Sequence, residues 1–258
     1  MRALWLLLAL VGLAGGATAG VGERFIAGTH YDTLPAPVST HDSKRIEVLE
    51  VFSYVCPHCF HLDPTIAAWR AKQPPDVDFQ RMPAVWNAQW RLFGQGYYAA
   101  QSLNVTEAAH ASIFKALHVD QKRIDSPADL ARVYAMSGVP EAAFLKSMDS
   151  FGVRASVQQA DARTRGYGVT GVPALIVNGK YRVTGDKAGS NEGMLEVVDF
   201  LVQMERDARA AGAKPSAAAK PAAKPPRPKA ARKAAAAPTG KTVSLASSER
   251  ANRADGAH

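Results

Sequence analysis

The chain has 258 residues, 47% of them hydrophobic, enough for a full core in one large domain or one domain carrying an insertion. Its formal net charge of +8 is confined to the end of the chain: from Ala213 onward there are ten basic and two acidic residues, and the preceding part carries 21 of each. The neutral body gives no electrostatic reason to expect specific nucleic-acid binding.

Met1 and Arg2 precede an apolar run from Ala3 to Leu13, followed by small residues ending in Ala17-Thr18-Ala19. This is the n-region, h-region and A-x-A pattern of an export signal, expected to span residues 1–19. An uncleaved membrane anchor is the alternative, but the run falls short of the ~20 residues that a spanning helix needs. Between Gly20 and Ser43 the chain is rich in Gly, Thr and Pro, with a short edge strand at Tyr31 to Leu34 before Pro35 and Pro37.

Ile46 to Phe52 reads as a strand buried on both faces. From Cys59 to Ala71, Phe60, Leu62, Ile66 and Trp69 recur at helical spacing, and a second strand follows at Val77 to Met82. Strand, helix and strand at this spacing predict a parallel pair with a right-handed crossover. Helices are then expected at Trp90 to Leu103, Glu107 to Val119, Asp129 to Met136, Glu141 to Met148 and Val153 to Arg165, a helical insertion over about residues 89–165. Ser126-Pro127-Ala128-Asp129 carries a capping side chain, a proline at the first helical position and an acid three residues on.

Strand character returns at Ala174 to Val177, and Asn178-Gly179 is a hairpin signal leading into Lys180 to Thr184. A last amphipathic helix is expected from Ser190 to Ala210. The pattern as a whole reads as an α/β fold with an inserted helical domain, occupying residues 20–212. Residues 213–258, made of Ala, Lys, Pro and Arg, lack the apolar surface to offset ordering entropy and are expected to be disordered. Such a tail is either solvated without a specific role or a weak tether to an anionic surface.

The only two cysteines stand in Cys56-Pro57-His58-Cys59, where the first strand runs into the helix. Thiol exchange needs a thiolate to attack a disulfide sulfur and a second thiol nearby to resolve the mixed disulfide. Cys56, near the helix N-cap, faces unpaired N–H groups and the positive end of the helix dipole. Pro57 at the first helical position costs no hydrogen bond, and a protonated His58 adds positive charge beside the sulfur. Cys59, a turn further in, is the expected resolving thiol. A c-type haem site is excluded because Phe60, not His, follows the second cysteine. A zinc site using His58 or His61 and a purely structural disulfide remain alternatives; the first lacks a second cysteine pair and the second closes too short a loop to stabilise much. Glu50, inside the apolar strand, needs a partner or a proton if buried. His30, His41, His61, His110 and His118 form no ligand or nucleophile pattern and are read as surface or packing residues. Trp86 and Trp90 are read the same way, with a gripping groove for unfolded chains as their functional alternative.

Glu50 to Cys59 (EVFSYVCPHC), with Thr170-Gly171-Val172-Pro173-Ala174 and Val177-Asn178-Gly179-Lys180-Tyr181, resembles the DsbA family of periplasmic thiol:disulfide oxidoreductases over roughly residues 28–208. The resemblance implies a thioredoxin fold with an inserted helical domain. It implies that Val172-Pro173 is the cis-proline loop packed against the dithiol, where Val172 offers backbone hydrogen bonds to a substrate peptide; an ordinary trans proline leading a strand is the alternative. It pairs Glu50 with Arg81, where the family prototype has lysine, so that proton relay by the basic partner is put in doubt. Asp63 matches a further acidic position, or else lies on a solvated helix face.

The expected function is therefore that of an exported, monomeric thiol oxidase of the periplasm. It needs no cofactor beyond its own Cys56–Cys59 disulfide, acts on reduced exported proteins, and is reoxidised by a quinone-linked membrane partner of DsbB type, as the resemblance implies. The alternatives are a disulfide reductase or isomerase, or a non-enzymatic module with a structural or zinc-bound dithiol and a tethering tail. Cleavage after Ala19 predicts that the intact mass of the exported protein begins at Gly20; a mass beginning at Met1 overturns the signal assignment.

Overall fold

A computed structural model describes residues 24–212; the expected export signal of residues 1–19 and the expected disordered tail of residues 213–258 lie outside the described residues. Among the described residues, no helix is long and apolar enough to cross a membrane.

The centre of the fold is β2 (Ile46–Phe52), whose seven residues are all buried. The minimal strand β1 (Asp32–Thr33) precedes it, and α1 (Pro57–Arg70) and β3 (Val77–Pro83) follow. Five helices come next: α2 (Ala88–Ser102), α3 (Thr106–His118), α4 (Pro127–Ala135), α5 (Glu141–Met148) and α6 (Phe151–Gly166). The chain then returns to the sheet through β4 (Ala174–Val177) and β5 (Tyr181–Thr184), and ends in the single turn α7 (Gly185–Ala188) and the long helix α8 (Asn191–Ala210). The sheet order is β1-β5-β4-β2-β3. The β2/β3 pair is parallel and the other pairs are antiparallel. This is the thioredoxin-like fold with an inserted helical domain that the sequence motifs imply.

Side-chain alternation along β2 separates two cores. Ile46 and Val48 pack with Leu62 and Ile66 of α1 and with the apolar face of α8. Leu49 and Val51 face the other way, toward Ala160 of α6 and Tyr167. A third core lies inside the helical insertion, around Phe93, Phe114, Leu130, Tyr134 and Phe144, and it reaches out to Phe52, Tyr54, Cys56 and Cys59. The dithiol thus sits where the insertion is packed onto the sheet.

Local signals mark several boundaries. Ser126 and Asp129 form a reciprocal capping box at the start of α4. Short α7 went unread because four residues give no helical periodicity. Asn178 and Gly179 both have positive φ, as the central positions of a type I′ turn demand, Lys180 N–H closes the turn on the Val177 carbonyl at 3.0 Å, and three residues separate the paired Val177 and Tyr181. A Cβ on Gly179 would meet the Val38 carbonyl oxygen at 1.9 Å, and that oxygen belongs to backbone that cannot swing aside. Gly179→Ala is therefore expected to lower stability by about 2–4 kcal/mol in urea unfolding, whereas a change below about 0.5 kcal/mol would show that the turn is not constrained as described.

Candidate functional site

Cys56 is the N-cap of α1, in an extended conformation with φ −88° and ψ 117°, and Pro57 occupies the first helical turn without loss of a hydrogen bond. Both cysteines are unpaired thiols, so the structure is that of the dithiol form. Cys56 retains 8% exposure and Cys59 none, while Pro57 and His58 lie in solvent. The two sulfurs have opposite environments. The neighbouring Cys59 thiol lowers the pKa of Cys56 to about 6; burial opposes this, and the backbone N–H groups of Cys59 and His58 and the charge of His58 add to the lowering. Burial pushes Cys59 far upward, helped by its hydrogen bond to Cys56 and by the negative charge of Glu50. His58 thus contributes as expected, but less than the partner thiol does.

The Val172–Pro173 peptide is cis, which sets aside the trans alternative, and the Cys56 thiol donates to the Val172 carbonyl at 3.5 Å. Beside this loop lies a cleft of about 470 Å³ lined by His58, Val172 and Pro173 together with Asp32, Arg182 and Lys187. Its lining includes neither Trp86 nor Trp90; these stack on each other at 4.9 Å, with Trp86 41% exposed.

Beneath the dithiol the parallel register sets Glu50 beside Arg81, and Arg81 Nε donates to Glu50 Oε2 at 2.9 Å. A second guanidinium nitrogen of Arg81 donates to Asp63 Oδ1 at 2.9 Å. Asp63 stands one helical turn after Cys59 and is mostly buried, so it does not lie on a solvated face. Burial pushes Glu50 above the usual carboxylate range against the charges of Arg81 and His110. For Asp63, burial is outweighed by the hydrogen bond and charge of His110 and by the charge of Arg81, and its carboxyl is held below that range.

Two histidines read from sequence as surface or packing residues belong to this region. His110 Nε2 donates to Asp63 Oδ1 at 3.1 Å, and its Nδ1 meets the Tyr54 hydroxyl at 2.9 Å. His118 Nε2 lies 2.7 Å from the Tyr54 carbonyl, and its ring stacks on Phe60 at 4.9 Å. His110 shares the buried face of α3 with Ala109, Ile113 and Phe114. A histidine at a core position of an amphipathic helix was the available signal, though its partners lie 47 and 56 residues away. Among the described residues, no group of three or more His, Cys, Asp or Glu side chains is arranged to hold a metal ion.

In the dithiol form, ultraviolet thiolate absorbance is expected to rise with one thiolate equivalent and a midpoint of about 6, and to vanish in Cys56→Ser. A midpoint near the ordinary ~8.5 contradicts the site as described. Since the folded pKa lies below the unfolded one, stability gained from the Cys56 thiolate is complete above about pH 9 and is lost as pH falls through about 6.

Residues 82–191 match the family model described as a DSBA-like thioredoxin domain. The chain is 38% identical over 182 residues to the thiol:disulfide interchange protein DsbA of Azotobacter vinelandii, a match covering 70% of this chain and 85% of the relative. It is 37% identical over 202 residues to DsbA of Pseudomonas aeruginosa, covering 78% and 95%. The crystal structure of Pseudomonas aeruginosa DsbA superposes with a TM-score of 0.69 over 72% of this chain and 97% of that one, and that of the oxidoreductase DsbA from Xylella fastidiosa with a TM-score of 0.67 over 70% and 98%, at 34% identity. With its CxxC dithiol at a helix N-terminus against a cis-proline loop, this chain belongs to the DsbA family and is a thiol:disulfide oxidoreductase.

Proposed function

We propose that the protein is an oxidase of the periplasm, donating its Cys56–Cys59 disulfide to reduced cysteine pairs of newly exported proteins. The observation that carries this reading is the contrast between the thiols. Cys56, lowered to about 6, is stable as a thiolate and a good leaving group, whereas Cys59 is buried and held protonated. A disulfide that releases a stabilised thiolate is thermodynamically inclined to oxidise others.

A substrate thiolate attacks Cys56 Sγ, the less buried end of the pair. The Cys56–Cys59 bond breaks, its electron pair leaves on Cys59, and Cys59 takes up a proton. The second substrate thiolate then attacks the substrate sulfur of the mixed disulfide, forming the substrate disulfide and releasing Cys56 as thiolate. Pro57 and His58 keep the Cys56 sulfur accessible and electrostatically favoured. Val172 and Pro173 line the adjacent cleft, where the Val172 backbone holds an extended substrate segment alongside Cys56. Glu50, whose carboxyl titrates above the usual range, supplies the Cys59 proton, and Arg81 balances the carboxylate left behind without giving up its own proton.

The dithiol then passes two electrons and its protons to a quinone-linked membrane oxidase of DsbB type. The protein works as a monomer, without specific nucleic-acid contact, and its basic tail gives at most weak contact with anionic surfaces. Stopped-flow oxidation of a dithiol peptide by the disulfide form is expected to be lost in Cys56→Ser. Cys59→Ser is expected to accumulate a mixed disulfide at Cys56 when offered an activated disulfide. A reduction potential near that of reducing thioredoxins, about −270 mV, would overturn the oxidase direction in favour of a reductase. Bound zinc without redox cycling would favour the non-enzymatic module.

A further inference from the structure

The buried charges under Cys59 form one connected set that the transfer steps above use only in part. Glu50 on β2 meets Arg81 on β3, Arg81 meets Asp63 on α1, Asp63 meets His110 on α3, and His110 meets Tyr54, two residues before Cys56. Arg81 and His110 share the same oxygen of Asp63. The His110 ring is enclosed by Phe52, Tyr54 and Phe114 at 5.3, 5.2 and 5.1 Å. The set reaches solvent at a cleft of about 420 Å³ between α1 and α3 whose lining includes Asp63, Arg81 and His110, with Arg70 and Glu107, and Arg81 also lines a second cleft with Phe79 and Tyr97.

Charge conservation limits what this set can do. If Glu50 holds a proton in the disulfide form, as the transfer step above requires, and His110 is neutral, then the Asp63 carboxylate and the Arg81 cation cancel around a neutral Cys59 and the set sums to zero. When Cys59 is released and takes the Glu50 proton, Glu50 becomes a carboxylate, and a net negative charge would remain in a site shielded from water. A buried unpaired charge is costly, and a proton taken from solvent cancels it. Arg81 has no proton-accepting form, and Asp63 already bonds the Arg81 cation at 2.9 Å, so neither is suited to take that proton. Histidine is the side-chain type that changes charge near neutral pH.

We propose that His110 is a positioning residue of the redox cycle, taking up a proton from the α1/α3 cleft as Glu50 yields its own to Cys59 and returning it on reoxidation. The two hydrogen bonds of His110 suit both charge states. In the neutral ring Nε2–H donates to Asp63 while Nδ1 accepts from the Tyr54 hydroxyl. In the imidazolium both nitrogens donate, and the hydroxyl turns to accept. Both ring nitrogens keep their partners in either state. The other groups facing this ring are also accounted for. Glu50, Asp63 and Arg81 belong to the charge balance. Tyr97 on α2 donates to the Arg81 carbonyl at 3.2 Å and Tyr134 on α4 stays a neutral phenol. At the cleft mouth, Arg70 and Glu107 pair with each other at 2.7 Å. His118, on the same helix, is turned to the Tyr54 carbonyl.

The inference rests on the Cys59 proton coming from Glu50, as proposed above. Its test is NMR titration of the histidine ring protons from about pH 5 to pH 9, in the dithiol and in the disulfide form, with the His110 signal assigned by its loss in His110→Gln. His110 is expected to bind its proton at least tenfold more tightly in the dithiol form, and the difference is expected to disappear in Glu50→Gln, which acquires no charge. Equal affinities in the two forms overturn the proposal. So does a difference that survives in Glu50→Gln, since that traces to the Cys56 thiolate. His110→Gln, whose amide can still donate and accept, is expected to release Cys59 about tenfold more slowly from a dithiol peptide at neutral pH while leaving the Cys56 titration in place; an unchanged rate also overturns it. A protein that cannot be cycled between the two forms would instead undo the oxidase reading itself.

Discussion

A carboxylate in the middle of a strand buried on both faces must meet a cation or keep a proton, and Glu50 is placed to do both. Arg81 answers it from the adjacent parallel strand at 2.9 Å, while burial keeps its carboxyl above the usual range. This pair constrains the sheet as well as the site. Side chains alternate along a strand, so slipping β3 by one residue against β2 would carry Arg81 to the opposite face. Glu50 would then be buried without a partner, a loss on the order of 3–5 kcal/mol. The register that matches Val48 with Phe79 in the apolar core is therefore also fixed from its polar end.

The same cluster explains why two cysteines three residues apart differ so much. Helix position alone would favour both as thiolates, since Cys56 caps α1 and Cys59 lies in its first turn. Burial and the Glu50 charge reverse that preference for Cys59 and leave it intact for Cys56. The asymmetry is thus created by the four-residue motif, which lowers Cys56, together with what lies under it, which raises Cys59.

Local features of this chain were legible because their causes are local. The Ser126–Asp129 capping box, the Asn178-Gly179 turn and the parallel pair around α1 each follow from residues a few positions apart. Glu50 was legible as a problem, a carboxylate in an apolar run, but its partner Arg81 came from the family resemblance, since the pattern of residues alone does not give the pairing register. His110 and Tyr54 gave no comparable sign, because a histidine among Ala109, Ile113 and Phe114 looks like packing until its two nitrogens find partners on α1 and on the loop before Cys56. Asp63 was ambiguous for the same reason. The Trp86–Trp90 pair shows the opposite case: conspicuous in the sequence, it stacks on itself and leaves the cleft beside Val172 to Arg182, Lys187 and Asp32.

The insertion does more than cover the sheet. Residues Phe52, Tyr54, Cys56 and Cys59 belong to the core of the helical domain, so its packing removes water from Cys59. Helix α3 also grips Tyr54 twice, His110 at the hydroxyl and His118 at the carbonyl. Two kinds of contact hold α3 in place. The Arg70–Glu107 ion pair at 2.7 Å is exposed on both sides, and pairs of that kind contribute about 0–1 kcal/mol. Phe114, fully buried against Phe52, Tyr54 and His110, contributes several times more, about 3–5 kcal/mol by the cost of truncating such a side chain. The seat of α3 is therefore set by the aromatic cluster, and a shift of that helix reaches the dithiol through Tyr54 rather than through the surface ion pair.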